Sequence, residues 1–269
     1  MAHRSELSSL GITDKDRRRM LRRGEMTRAG TFYVTAEAPA NLLPLLGKGV
    51  RPTCLTAAAL HELWTPLHSD THIYRPRGVV AGALEKDWIE HGVGLRGWPD
   101  ALPFADIALT LDHAARCLPI RDAAILFESA VHRRKISLHV ALQIIEGLPQ
   151  RIRTPLRRID PRAESGTETA VRWWLESLRV PVTPQVQIPG VGRVDLQVGR
   201  SWVIECDSVR YHDNPEQYHE DRRRDLLLRS RRYTVTRLTW EQVFLQEEDT
   251  RRELLRCIQR RDHRRRLPH

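Results

Sequence analysis

Arg193-Val194-Asp195-Leu196-Gln197-Val198-Gly199-Arg200-Ser201-Trp202-Val203-Ile204-Glu205-Cys206-Asp207 is the stretch on which the reading of this chain turns. Val194, Leu196 and Val198 alternate with Arg193, Asp195 and Gln197, the period-two pattern of a half-buried strand. Trp202, Ile204 and Cys206 alternate in the same way with Val203, Glu205 and Asp207. Gly199-Arg200-Ser201 supplies the turn, since Gly199 can take a positive φ.

Register decides the chemistry. A three-residue turn sets Val198 opposite Trp202, Leu196 opposite Ile204 and Asp195 opposite Glu205. A two-residue turn would set Ile204 opposite Asp195 and scramble the apolar face, so the first register is predicted. Facing side chains lie about 5 Å apart. Two carboxylates at that distance repel by about 3 kcal/mol at an effective dielectric of roughly 20. Asp207 shares the face of Glu205, so three carboxylates converge. The simplest compensation is a bound divalent cation such as Mg²⁺ or Mn²⁺, since Mg²⁺ favours carboxylates and water. The competing meaning is a solvated polar face, the ordinary significance of alternating charge. Against it, Asp is depleted in strands, and here two Asp and a Glu sit mid-strand on one face.

Composition bounds the remainder. The chain has 269 residues, room for two domains, and a formal charge of +10 that suits a polyanionic partner such as DNA. Cys54, Cys117, Cys206 and Cys257 are far apart with no C-x-x-C pair, which argues against a zinc ribbon and for a reducing, cytoplasmic setting. The first residues lack an apolar segment, so no signal peptide is expected, and no apolar run approaches membrane-spanning length. The lysines are Lys15, Lys48, Lys86 and Lys135, so nothing beyond Lys135 can act as a catalytic lysine.

Along residues 1–50, Ser5 to Leu10 predicts a short helix, and Thr13 with Asp16 forms a capping box for a second one ending at Gly24. A ribbon bending at Gly30 follows. This order suggests a winged helix-turn-helix, with Arg17, Arg18 and Arg22 on or beside the recognition helix and suited to phosphates. A small helical cap with a solvated basic face fits the same pattern. Residues 51–148 predict a helical connector with helices near 53–64, 107–118, 120–132 and 137–148, and a short strand at His72 to Tyr74 before Pro76. His61, His68, His72, His91, His113, His132 and His139 are scattered across it without helical ligand spacing, as surface or packing histidines would be. Residues 149–164, with three prolines and five arginines, predict an extended basic linker.

Residues 165–269 predict a second domain in the order helix, three strands, helix, strand, helix. Ser165-Gly166-Thr167-Glu168 is a capping box, and Glu168 also continues the buried stripe of Val171, Trp174, Leu175 and Leu178. It can close the cap, project toward the carboxylates, or both. Asn214 and Pro215 start the next helix, Thr250-Arg251-Arg252-Glu253 caps the last, and 263–269 reads as a frayed basic tail.

Glu168, Gln185 to Ile188, Gly192-Arg193-Val194-Asp195-Leu196, Val203-Ile204-Glu205-Cys206-Asp207, Tyr211-His212, Asp221 to Asp225 and Tyr233-Thr234-Val235 together resemble the very-short-patch-repair (Vsr) endonuclease-like branch of the PD-(D/E)XK nuclease superfamily. More loosely, the N-terminal segment is similar to the winged helix of AbiEi-type antitoxins. The resemblance implies an α+β, two-domain chain: a winged helix-turn-helix with its connector, then a restriction-endonuclease-like α/β core with a mixed sheet. It implies that Asp195 and Glu205 bind metal and that Glu168 is the acidic residue of the first core helix. Asp207 stands where the superfamily usually has Lys, as is common in this branch. Ser208 replaces a usual Gly, and Ser230-Arg231-Arg232 stands where a Gly is expected before Tyr233.

Phosphodiester hydrolysis needs a nucleophilic water, charge compensation at phosphorus and a protonated leaving group. Without a lysine, either Asp207 adds to the charge on the metal or His212 is the base, its ordinary pKa near 6.5 suiting that role. Arg222 and Arg224 either hold phosphates or, as in an Asp221–Arg224 pair, stay within their helix. The expected activity is metal-dependent DNA cleavage, in repair or in defence against foreign DNA. The alternative is a non-catalytic, antitoxin-like DNA-binding regulator on the same fold.

Overall fold

A computed structural model describes residues 1–76, 85–92, 101–207 and 215–268, with the backbone alone described for 207, 215–219 and 221. The chain is α+β with mixed sheets and forms two compact units: 1–119 with 139–157, and 120–138 with 158–269. Among the described residues no helix is long and apolar enough to cross a membrane.

The first unit contains two small sheets. Strand β1 (Ala2–His3), helix α1 (Asp14–Arg22), β2 (Thr27–Ala29) and β3 (Phe32–Val34) give an antiparallel sheet in the order β1-β3-β2. Thr13 Oγ1 accepts the Asp16 amide and Asp16 reaches back to the Thr13 amide, so the predicted capping box is present. The expected helix at 5–10 is only a 3-10 turn at Arg4–Glu6, closed by His3 Nδ1 accepting from the Ser5 amide. It is too short to nucleate a regular helix.

Helix α2 (Leu42–Gly47), β4 (Arg51–Pro52), α3 (Cys54–Leu60), β5 (Thr71–Tyr74), β6 (Trp88–His91) and α4 (Ile107–Cys117) follow. Strands β4, β5 and β6 form a second sheet, antiparallel and then parallel. The strand expected at His72–Tyr74 is present as β5, but the rest of the connector is not all helical as expected, since β4 and β6 pair with that strand. Its strands are two to four residues long, too short for alternation to show.

Helix α5 (Ile120–His132) belongs to the second unit, whereas most of α6 (Leu138–Glu146) and all of α7 (Gln150–Leu156) belong to the first. The predicted linker is thus another correction. Pro149 precedes α7, and Ile152 and Leu156, one turn apart, are both buried. Pro155 is accommodated near the end of that helix.

In the second unit, α8 (Gly166–Ser177), β7 (Val182–Ile188), β8 (Gly192–Val198), β9 (Trp202–Asp207), α9 (Pro215–Ser230), β10 (Thr234–Thr239), α10 (Trp240–Phe244) and α11 (Glu247–Gln259) surround one sheet of order β10-β9-β8-β7. β7, β8 and β9 form an antiparallel meander, while β10 returns parallel to β9 after the α9 crossover. Pro184 is tolerated because β7 is an edge.

The β8–β9 register is the predicted one where the strands pair, with Val198 opposite Trp202, Gln197 opposite Val203 and Leu196 opposite Ile204, but the ladder stops short of the predicted Asp195–Glu205 pair. Trp202, Ile204, Leu196 and Val198 are fully buried. Helix α5 is tied to α8 through Glu128, which receives hydrogen bonds from Thr169 Oγ1 (2.7 Å), Trp173 Nε1 (3.2 Å) and the Asp160 amide (3.0 Å), and an ion pair from Arg172.

The tail predicted to fray from 263 is held at its start, while 264–266 and 268 are exposed. Asp262 and His263 are buried, Ser201 Oγ donates to the Asp262 carbonyl, and the Arg200 amide donates to that of His263. Gly199 (φ +58°) permits this, since a Cβ there would lie 2.2 Å from the His263 oxygen. Thr250 lies inside α11 and donates to the Gln242 carbonyl, so it is not the cap expected of it. The capping box of this region is Thr239 with Gln242.

Candidate functional site: carboxylates at a strand fork

Strands β8 and β9 pair only as far as Leu196 and Ile204, although β8 begins at Gly192 and β9 runs to Asp207. Beyond that pair they part, and two carboxylates bridge the gap. The Asp195 amide donates to Glu205 Oε2 (3.1 Å), and the Cys206 amide donates to Asp195 Oδ2 (2.8 Å). Each acidic side chain thus accepts from the opposing strand's backbone where the ladder would otherwise continue.

Three further elements, α8, β7 and α9, close on this fork. Glu168, in the first turn of α8, is 4% exposed; Oε2 accepts the Glu164 amide (3.1 Å) and Gln185 Nε2 (2.8 Å). Ser165 Oγ caps the Glu168 amide. The Glu168 side chain does not close a capping box on the Ser165 amide; it bonds the Glu164 amide instead and faces Asp195 through Gln185. The Gln185 amide reaches Asp195 Oδ1 at 3.5 Å as well. From α9, Arg224 donates to Glu205 Oε1 (3.2 Å) and to the Arg193 carbonyl (2.5 Å).

Crowding shows in the proton affinities. Burial and then the charge of Asp195 push both Glu168 and Glu205 up to about 7. For Glu205, the Asp195 amide, Arg224 and Arg237 work in the opposite direction. Near neutrality the cluster either holds protons or needs another cation. The donor set suits a hard cation, being all oxygen. Gln185 Oε1 is buried and, among the described residues, accepts no hydrogen bond. Gln185 also has φ +55° although β7 keeps one register on both sides of it. A non-glycine in that region costs on the order of 1–3 kcal/mol and tends to cluster at functional sites.

The other expected site residues fare differently. Asp207 lies on β9 opposite Thr239 of β10, but its side chain is outside the described residues, as are His212 and the Asn214 cap. Arg224 belongs to the site through Glu205, and Arg222 is exposed on α9. On α1, Arg17 pairs with Asp14 (2.9 Å) and lies over the Tyr33 ring, whereas Arg18 and Arg22 are exposed. Sequence reasoning missed Gln185. Continuing the β7–β8 pairing outward from the Gly190 turn sets it opposite Asp195, which was a readable signal.

In the first unit, Cys54, His72, His91 and Cys117 come together, a group that can hold a metal ion but not one of magnesium's kind. This corrects the expectation that these histidines are unconnected. His61 is a packing residue bonded to the Ala105 carbonyl, and His132 and His139 are on the surface. No family model matches this sequence, and no curated protein matches it either.

Proposed function

We propose that this chain is a divalent-metal-dependent DNA endonuclease whose catalytic centre is the fork between β8 and β9. The observation that carries this reading is the convergence of Glu168, Asp195 and Glu205, with Gln185 between the first two. The resemblance of the same stretch to Vsr-like nucleases supports it.

In this reading Asp195, Glu205 and Asp207 hold Mg²⁺ or Mn²⁺, and Glu168 adds negative charge from α8. The bound ion supplies a water of lowered pKa and compensates charge at phosphorus. The chain's own residues do the positioning. Backbone amides fix one oxygen each of Asp195 and Glu205, and Arg224 fixes the other oxygen of Glu205. With the carboxylates held in advance, less ordering remains for the moment of binding. His212 takes the proton of the attacking water, since the unit has no lysine beyond Lys135. Arg18, Arg22 and Arg222 lie along phosphates, and the winged-helix-like segment at the N-terminus adds DNA affinity without hydrolysis.

Supercoiled plasmid incubated with the purified protein tests the reading. Nicked or linear product with Mg²⁺ or Mn²⁺, and none in EDTA, is expected. DNA that is bound but never cut with any metal would replace the nuclease with the regulator.

A further inference from the structure

We propose that the first unit carries a structural zinc site made of Cys54, His72, His91 and Cys117, separate from the carboxylate fork. The four side chains come from four elements: the start of α3, the middle of β5, the end of β6 and the end of α4. One donor atom from each lies within 4.8 Å of all the others. His72 Nδ1 is 3.1 Å from His91 Nε2, and Cys117 Sγ is 3.8 Å from His72 Nδ1.

These separations match a tetrahedron around one ion. Zn–N bonds of about 2.05 Å and Zn–S bonds of about 2.3 Å give N···N edges of about 3.3 Å and S···N edges of about 3.6 Å. Two thiols and two imidazoles are a soft and borderline donor set, which selects zinc over magnesium or calcium. Cys₂His₂ ligation of a two-iron cluster would divide the four donors between two metal atoms, and a group this tight has room for one. Four protein ligands complete the shell, leaving no open position for a substrate, so the role is structural.

The surroundings hold the ligands in place. β5 and β6 are parallel with His72 opposite Ile89 and Tyr74 opposite His91, so the two histidines share a face of the sheet. The His72 amide donates to Thr56 Oγ1 of α3 (2.8 Å). His113, one turn before Cys117, stacks on His91 at 5.1 Å between ring centroids and is itself bonded through Nδ1 to Thr53 Oγ1 (2.7 Å). Cys54 is buried with φ +47°, an unusual conformation for a residue with a side chain, and it turns α3 directly out of β4. Among the described residues the strands of the first unit are short, and the ion would fasten α3, both histidine strands and α4 at one point.

The test is metal content of the full chain purified under reducing conditions, measured by inductively coupled plasma mass spectrometry. One zinc per chain is expected, kept in Asp195→Ala and lost in Cys117→Ser and His91→Ala. Because His91→Ala could lose zinc by failing to fold, His91→Cys is the companion variant, expected to recover the zinc as a Cys₃His set. Cobalt in place of zinc is expected to give the visible bands of tetrahedral thiolate-bound Co²⁺. Chelation is expected to lower the melting temperature by roughly 10 °C. A chain that carries no zinc and takes none up from added Zn²⁺ would overturn the proposal. So would zinc that persists in both Cys117→Ser and His91→Ala, or zinc that follows Asp195→Ala. A Cys54–Cys117 disulfide in the reduced preparation, in place of bound metal, would overturn it as well.

Discussion

The carboxylate fork and the thiol–imidazole group are both clusters of metal-ligating side chains, yet they are built in opposite ways. The fork takes Asp195 and Glu205 from one hairpin, so ten residues of sequence and a turn length bring them together. Cys54, His72, His91 and Cys117 span more than sixty residues, and no two lie on the same element. The donors differ too. Hard oxygens at the fork repel one another, and burial and the charge of Asp195 raise the proton affinity of Glu168 and Glu205, whereas two thiols and two imidazoles are a donor set suited to a softer ion and to a closed shell. A site with unrelieved charge is suited to recruiting a cation for chemistry; a closed one is suited to holding a fold.

The sharpest break between the two regions is Asp195→Ala. It is expected to reduce plasmid cleavage below detection while leaving zinc content and circular dichroism unchanged. Full cleavage in this variant would move the activity away from the fork. His212→Ala is expected to slow cleavage by about 10²–10⁴-fold as loss of a general base. A rate within a factor of two of the parent would assign the proton to metal-bound hydroxide alone.

Glu128→Ala separates fold from site within the second unit. It leaves the buried Arg172 guanidinium without its Glu128 partner, and removing one partner of a buried pair costs about 3–5 kcal/mol. Urea unfolding measures this, and the fork's carboxylates are untouched by the change.

The charge at the fork predicts a pH dependence. Glu168 and Glu205 are raised from 4.5 to about 7 in the fold. The native state therefore binds more protons than the unfolded chain between those values. Stability present below pH 4.5 is lost as pH rises through about 7. The pair share repulsion from Asp195, so their separate losses do not simply add. Thermal melts without added Mg²⁺ should fall from pH 5 toward about pH 8. Added Mg²⁺ should restore the alkaline values, and Glu168→Gln should flatten the slope. An unchanged slope in that variant would remove Glu168 from the coupled cluster.

The smallest effect concerns DNA affinity. Arg18→Ala and Arg22→Ala, both on the exposed side of α1, should each lower the slope of log affinity against log salt by about 0.9. Slopes that do not change would detach α1 from the nucleic acid.

Local periodicity and turn chemistry were enough to determine the second unit's hairpin from the chain alone. Alternation from Val194 to Val198 and from Trp202 to Cys206, with Gly199 at the turn, specifies one register, because a slip by one would invert every buried side chain. The capping signals of Thr13 and Ser165 were readable for the same reason: both sides of each bond lie within four residues. Three other features were decided only in three dimensions. The pairing of β5 with β4 and β6 joins strands too short to carry a period, and Asp262 and His263 are buried by contacts made about sixty residues away. The cysteine and histidine cluster has no spacing to read, since its ligands converge through packing of α3 on α4 and the parallel pairing of β5 with β6. Short-range order is written in neighbouring residues. Long-range convergence depends on how whole elements bury their apolar faces, and that is settled only when they pack.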